Sequence, residues 1–297
     1  MFAGLCAFPI TPVNETTFDE KAFSRLVERC VAARVDSVCA LGSTGNYLYL
    51  TREERARVIE VAVGSAKGFP VIAGISALRT RDVLLLADDA LRYGASGVLL
   101  APASYHQLSA EEVFQHFQLV ARHSPLPLCV YDNPGATRFD FSDALHARIA
   151  DLPNVRSIKI PPVSMDLDVM RNRVARLRDK LPASVSIGIS GDRFAAVGLA
   201  SGCDVWYSVI GGIFPRTSLA LLRAVQSHDE AEVARMTDNL APLWGLFDKY
   251  RGSLRVVAAA ASLMGIAQAP SLPLPLRSID SDDVEVLAEL IDQMQLS

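Results

Sequence analysis

Lysine is scarce in this chain: of 29 basic residues only five are lysine, at Lys21, Lys67, Lys159, Lys180 and Lys249. The net charge of -4 provides no basic face, which excludes an electrostatic footprint for nucleic acid and favours a small-molecule partner. Five cysteines (Cys6, Cys30, Cys39, Cys129, Cys203) stand at no metal-like spacing, and their odd number argues against a closed disulfide framework. Buried thiols are expected. Apolar runs all fall short of bilayer length, and Met1 to Cys6 lacks the basic start and cleavage pattern of a signal peptide, so no membrane partner and a cytoplasmic location are expected. No Gly-x-Gly-x-x-Gly fingerprint follows the first apolar run, which removes the usual dinucleotide-binding signature. No constellation of His, Asp and Glu suggests a catalytic metal.

What is present is a repeated alternation. Short apolar runs at 2–8, 35–41, 71–75, 97–101, 128–131, 155–160, 185–189 and 204–209 are each followed by a loop of small or polar residues and then a helix-patterned segment. Thr51-Arg52-Glu53-Glu54 and Ser109-Ala110-Glu111-Glu112 have the form of capping boxes and place two helix starts. Between Asp19 and Arg34, the residues Phe23, Val27, Cys30 and Val31 share one stripe, as on a helix packed against a barrel. Eight strands alternating with helices predict an α/β fold, a (β/α)8 TIM barrel over residues 1–226; an open doubly wound sheet is the alternative. From about Ser227 the pattern is helical alone, which predicts a small C-terminal helical domain over 227–297.

Four of the five lysines lie in or at the ends of helix-patterned segments, where a solvated charge is ordinary. Lys159 is the exception. It sits in Val155-Arg156-Ser157-Ile158-Lys159-Ile160, a buried-strand pattern stopped by Pro161-Pro162. A buried ammonium must be paired or neutralised, and a neutral amine in a dry pocket is the nucleophile that Schiff-base chemistry needs. The ordinary alternative is a snorkelling or paired lysine. In a barrel, active sites gather where strands end, so the other strand ends matter too. Gly42-Ser43-Thr44-Gly45 could aim amides and hydroxyls at a carboxylate, or be a plain capped turn. Tyr131, before Asp132-Asn133-Pro134-Gly135, could carry protons or hold its phenol in solvent. Strand four ends near Tyr105 and His106, of which His106 reads as a rim residue; strand seven ends at Ser190-Gly191-Asp192-Arg193, and strand eight at Ser208-Val209-Ile210-Gly211-Gly212. The last two loops could build a phosphate site, although glycines that merely permit tight turns are the better reading.

Together, the Gly-Ser-Thr-Gly turn, the Tyr-x-Asn-Pro-Gly turn and the Ile-Lys pair, in order and along essentially the whole chain, resemble the dihydrodipicolinate synthase and N-acetylneuraminate lyase family of class I, pyruvate-handling aldolases. The resemblance implies that Lys159 forms a Schiff base with pyruvate or a 2-keto acid, with no other cofactor, and that Tyr131 shuttles protons beside it. It implies further that Ser43 links this tyrosine to a second one, Tyr105, which reaches into a neighbouring subunit's site, and that Thr44 binds the carboxylate. A homotetramer built from tight dimers follows from the same likeness. The expected activity is that of a lyase, either an aldolase or a dehydratase acting on a 2-keto or 2-keto-3-deoxy acid.

Departures bear on the substrate. Asn46 stands where the family's commonest motif has glutamate, Tyr47 and Tyr49 replace smaller residues, and Ala136 stands where dihydrodipicolinate synthases carry a carboxylate-gripping arginine. Arginine is the side chain best shaped for that grip, so these differences point away from true dihydrodipicolinate synthase activity. Arg138 could fold back to replace it or remain solvated. If Arg193 points inward, the far end of the substrate is anionic; if outward, Asp192 and Ser208 are left to bind hydroxyls, with Gly191 beside them. An alternative from another class is a catalytically decayed member that binds a keto acid as sensor or scaffold.

Overall fold

A computed structural model describes residues 1–297. Eight parallel strands close into one barrel in chain order: β1 (Gly4–Ala7), β2 (Ser37–Ala40), β3 (Val71–Gly74), β4 (Gly97–Leu100), β5 (Leu128–Tyr131), β6 (Val155–Ile160), β7 (Ser186–Ile189) and β8 (Val205–Ser208). The helices around it are α1 (Glu20–Ala33), α2 (Arg52–Ala66), α3 (Thr80–Arg92), α4 (Ala110–His123), the single turn α5 (Pro134–Thr137), α6 (Asp143–Ala150), α7 (Leu167–Arg178), α8 (Ala195–Ala200) and α9 (Pro215–Gln226). The barrel expected from the alternation is thus the observed one, and each apolar run contains its strand.

Local chemistry sets the helix starts. Both capping boxes form, Thr51 with Glu54 at α2 and Ser109 with Glu112 at α4. Asp19 accepts from the Ala22 amide at the head of α1, whose buried stripe is Phe23, Leu26, Val27 and Cys30. Strand side chains alternate between two environments, as the two-residue period requires. Cys6, Phe8, Cys39, Ile72, Leu99, Cys129, Val205 and Tyr207 fill the barrel interior, while the outward residues join a continuous layer beneath the helices.

After α9 come α10 (Glu230–Lys249), α11 (Leu254–Leu263) and α12 (Ser281–Gln293). Met236, Leu240, Leu243, Val256, Val257 and Leu287 belong to the same apolar cluster as the barrel layer. The amides of Arg216 and Thr217 donate to the Ser297 carbonyl at 2.8 and 3.0 Å, tying the C-terminal end to α9. We keep 227–297 as a proposed C-terminal domain, set off by its pattern rather than by a core of its own. No helix is long and apolar enough to cross a membrane.

His116 on α4 shares a 2.9 Å hydrogen bond with the Thr80 hydroxyl, and burial pushes its imidazole down to about 4. An unfolded histidine titrates near 6.5, so between these values the unfolded chain takes the proton first. Stability is therefore complete above about pH 6.5 and declines as pH falls toward about 4, by up to about 3 kcal/mol. Denaturant unfolding of His116→Asn across this window is expected to show a flatter dependence on pH than the parent protein does.

Candidate active site

β5 and β6 lie side by side with Tyr131 paired to Lys159, so phenol and amine leave adjacent strands at the same height. Ser157 and Lys159, two residues apart, project into the barrel, and Pro161 ends the strand just above them. Lys159 is 3% exposed. No side-chain hydrogen bond or ion pair holds its Nζ, in contrast to Lys249, which meets Asp283 at 2.6 Å. Instead Nζ lies 4.0 Å from the Phe8 ring centroid, 4.1 Å from that of Tyr131 and 5.5 Å from that of Tyr207. A buried amine among ring faces, with no side-chain partner, is available as a nucleophile.

The Tyr131 phenol receives a hydrogen bond from Asn133 Nδ2 at 2.9 Å and stands 3.4 Å from Ser43 Oγ. Ser43 comes from the turn after β2, and that turn is built under constraint. Leu41 and Asn46 bracket it at φ 61° and 55°, left-handed conformations that asparagine tolerates better than most residues. The Asn46 side chain donates to the Thr11 carbonyl at 3.2 Å, so the departure from glutamate has a local structural use. Gly42 is required for a different reason: a Cβ there would meet the Phe8 ring at 2.5 Å. The amide of Gly45 donates to the Gly42 carbonyl at 2.9 Å, which takes Gly45 out of the expected anion nest as a donor. The Thr44 hydroxyl makes no hydrogen bond within the chain, and with Ser43 it is what the turn can offer a carboxylate.

Other expected residues are placed elsewhere. Tyr105 is 84% exposed, edge-on to His106 on the loop after β4, and does not join Lys159 within one chain. Arg193 turns outward to Asp248 on α10 at 2.5 Å, so its guanidinium does not serve the site. With Arg193 outward, Asp192 and Ser208 are the residues expected to bind hydroxyls, and both are engaged within the chain. Asp192 Oδ1 accepts from Trp206 Nε1, Ser208 Oγ and the Val209 amide at 3.0, 3.0 and 3.2 Å, and Oδ2 from the Ile210 amide at 3.0 Å. Burial raises the Asp192 carboxyl above its ordinary value while these donors and Lys159 oppose the shift. Ser208 also accepts from the Gly211 amide at 2.8 Å, completing a staple that shapes the end of β8. A Cβ on Gly212 would come within 2.4 Å of the Phe8 carbonyl oxygen, so this glycine serves close packing.

Gly191, at φ 80°, lines a cleft of about 370 Å³ with Asp192, Val209, Phe247, Asp248, Arg251, Gly252 and Ser253. Arg251 forms no ion pair there, and sequence reasoning missed it because it lies on a loop of the helical tail. Phe8 and Tyr207 were missed as well, since an aromatic residue in a strand is core by default. Neither this cleft nor the larger cavity of about 450 Å³ between the Pro12 to Lys21 loop and Gln268 to Ser271 has Lys159, Tyr131, Ser43 or Thr44 in its lining, so chemistry rather than size locates the site. Ala136 and Arg138 are exposed on and after α5, and Arg138 has no partner. Burial pushes the Cys6 thiol up to about 12 and Cys129 up to about 11, which makes both poor nucleophiles inside the barrel. No group of three or more His, Cys, Asp or Glu side chains is gathered in a way that could hold a metal ion.

Comparison with known proteins identifies the family. The family model described as the dihydrodipicolinate synthetase family matches residues 1–294. A 4-hydroxy-tetrahydrodipicolinate synthase of Syntrophotalea carbinolica is 31% identical over 294 residues, covering 98% of this chain and 97% of that protein. A dihydrodipicolinate synthase structure from Agrobacterium tumefaciens str. C58 superimposes with a TM-score of 0.94 at 44% identity, covering 99% of this chain and 98% of that one. The chloride-inhibited dihydrodipicolinate synthase of Acinetobacter baumannii, complexed with pyruvate, gives 0.88 at 26% identity with complete coverage of both chains, 100% each. These relatives give no support to the departure from dihydrodipicolinate synthase activity expected from Asn46 and Ala136, and their names lean toward that activity. The chain belongs to the dihydrodipicolinate synthetase family and is, with it, a lyase of the class I aldolase type.

Proposed function

We propose that this lyase joins pyruvate to an aldehyde, or reverses that reaction, through a Schiff base on Lys159. The observation that carries the reading is the unpaired, buried amine level with a phenol on the neighbouring strand. The amine adds to the keto carbon, the keto oxygen leaves as water, and the iminium becomes the electron sink for a carbanion at the methyl carbon. Tyr131, held by Asn133 and near Ser43, delivers and removes the protons. Ser43 and Thr44 receive the pyruvate carboxylate. No organic or metal cofactor is needed, because the iminium supplies the electrophile. The exposure of Tyr105 supports its reading as a residue that completes a neighbouring subunit's site in a homotetramer of tight dimers.

For the aldehyde, the relatives named for 4-hydroxy-tetrahydrodipicolinate synthesis favour aspartate semialdehyde. A second reading, cleavage or dehydration of a 2-keto-3-deoxy sugar acid, is favoured by Ala136, which brings no guanidinium to the turn after β5. In either case Arg251 is the one cation without an ion pair in the cleft next to Asp192, whose lining it shares with the carboxylates of Asp192 and Asp248. Turnover measured with pyruvate plus aspartate semialdehyde and with a panel of 2-keto-3-deoxy acids separates the readings. Arg251→Ala is expected to raise KM for the preferred carboxylate-bearing partner by about 10-fold, the loss of one charge-assisted contact, with kcat changed less. Binding of pyruvate with no turnover on any of these, and no exchange of methyl protons, would leave the sensor or scaffold in place of the enzyme.

A further inference from the structure

Three rings face one amine inside the barrel. Phe8 reaches it because β1 closes against β8: Cys6 pairs with Tyr207, and the Phe8 amide donates to the Ser208 carbonyl at 2.8 Å. Phe8 and Tyr207 then meet edge to face, with centroids 5.9 Å apart and planes at 87°. The Tyr207 hydroxyl is fixed from below, 2.6 Å from Ser157 Oγ and 3.2 Å from Cys129 Sγ, and Ser157 is in turn 2.8 Å from Ser186 Oγ.

The backbone is cut away to admit these rings. A Cβ on Gly42 would come 2.5 Å from Phe8 Cδ1, and one on Gly188 would come 2.3 Å from Tyr207 Cε2. Both glycines have negative φ, so neither is needed for an unusual backbone conformation; each leaves room for an aromatic side chain. With Tyr131 on the third side, Nζ is within about 6 Å of three ring centroids, the range in which a cation is attracted to the π face. No acidic side chain pairs with Lys159, and both oxygens of Asp192 are occupied by other donors.

Resting on the Schiff-base reading above, we infer that Phe8, Tyr131 and Tyr207 form an aromatic cage that stabilises the positive nitrogen of the iminium in the role a carboxylate counter-ion would otherwise fill. The step is balanced: the neutral amine and the ketone, with one proton, give the protonated imine and water, so one positive charge appears at Nζ. Ring quadrupoles stabilise that charge and, unlike a carboxylate, neither take its proton nor hydrolyse the adduct. Phe8 touches the reacting nitrogen; Tyr207 acts partly by holding Phe8 in its edge-to-face position.

The test is a fluorination series at position 8, with phenylalanine replaced by its mono-, di- and trifluoro analogues, which weaken the π face while nearly keeping ring shape. Borohydride-trapped pyruvate adduct at Lys159 is measured against pyruvate concentration across a range of pH, because borohydride reduces the protonated imine and the trapped fraction therefore reports that cation. The pyruvate concentration for half-trapping is expected to rise stepwise with each fluorine, by about three- to tenfold across the series, and Phe8→Leu to show a loss of at least that size. A flat series would overturn the cage, whatever Phe8→Leu does. Absence of adduct in the unsubstituted enzyme would overturn the Schiff-base reading and the cage with it, and so is distinguishable from failure of the cage alone.

Discussion

Lys159→Met is expected to lose turnover by on the order of 10^4- to 10^6-fold, the scale of removing a covalent nucleophile from an organised site, while unfolding at the same or slightly higher temperature. The two expectations have one cause. Lys159 is 3% exposed, has no ion-pair partner and lies against Phe8, Tyr131 and Tyr207. Methionine of similar length fits among those rings and keeps the apolar contacts of the lysine stem, and sulfur packs well against aromatic faces. A residue kept for stability would behave oppositely. Steady-state assays and thermal unfolding of the same preparation check both halves; loss of activity accompanied by a large fall in Tm would mean that the lysine is chiefly structural.

Tyr131→Phe is expected to reduce kcat by about 10²- to 10⁴-fold, the usual worth of a positioned proton carrier. The ring remains beside Lys159, so a pyruvate adduct should still form and be trapped by borohydride, more slowly. What is removed is the oxygen that receives the Asn133 hydrogen bond and faces Ser43 at 3.4 Å. Turnover within a few-fold of the parent enzyme would show that another group moves the protons. Complete loss of trapping, with the fold intact, would show instead that the phenol is needed to position the amine.

Much of the architecture can be read from residue order alone, because a closed parallel barrel repeats one pattern eight times and each apolar run must pair with its neighbours. Lys159 stands out for the same reason: a charged residue interrupts a strand whose two-residue period leaves it no solvent face. The turn at Ser43 and the Tyr131 strand end could be placed for chemistry because a barrel gathers strand ends at one mouth. Which way a polar residue faces within that mouth was less legible. Asp192 is satisfied by Trp206, Ser208, Val209 and Ile210, all on or just past the next strand, and that pairing exists only once β7 and β8 are adjacent. One residue further along the same turn, Arg193 points away toward Asp248 on α10. Phe8 and Tyr207 are far apart in sequence and meet through barrel closure; before closure they have no feature that sets them apart from core. Asn46 looked like a loss of family chemistry, but its left-handed backbone and its bond to Thr11 show a turn residue suited to its position.

The central claim is that a single amine makes the covalent bond. Incubation with pyruvate, reduction with borohydride and peptide mapping by mass spectrometry tests it most directly. The account predicts one reduced pyruvate adduct, on the peptide containing Lys159, with Lys21, Lys67, Lys180 and Lys249 unmodified. An adduct spread over the exposed lysines, or an unmodified Lys159 in folded protein saturated with pyruvate, would contradict it.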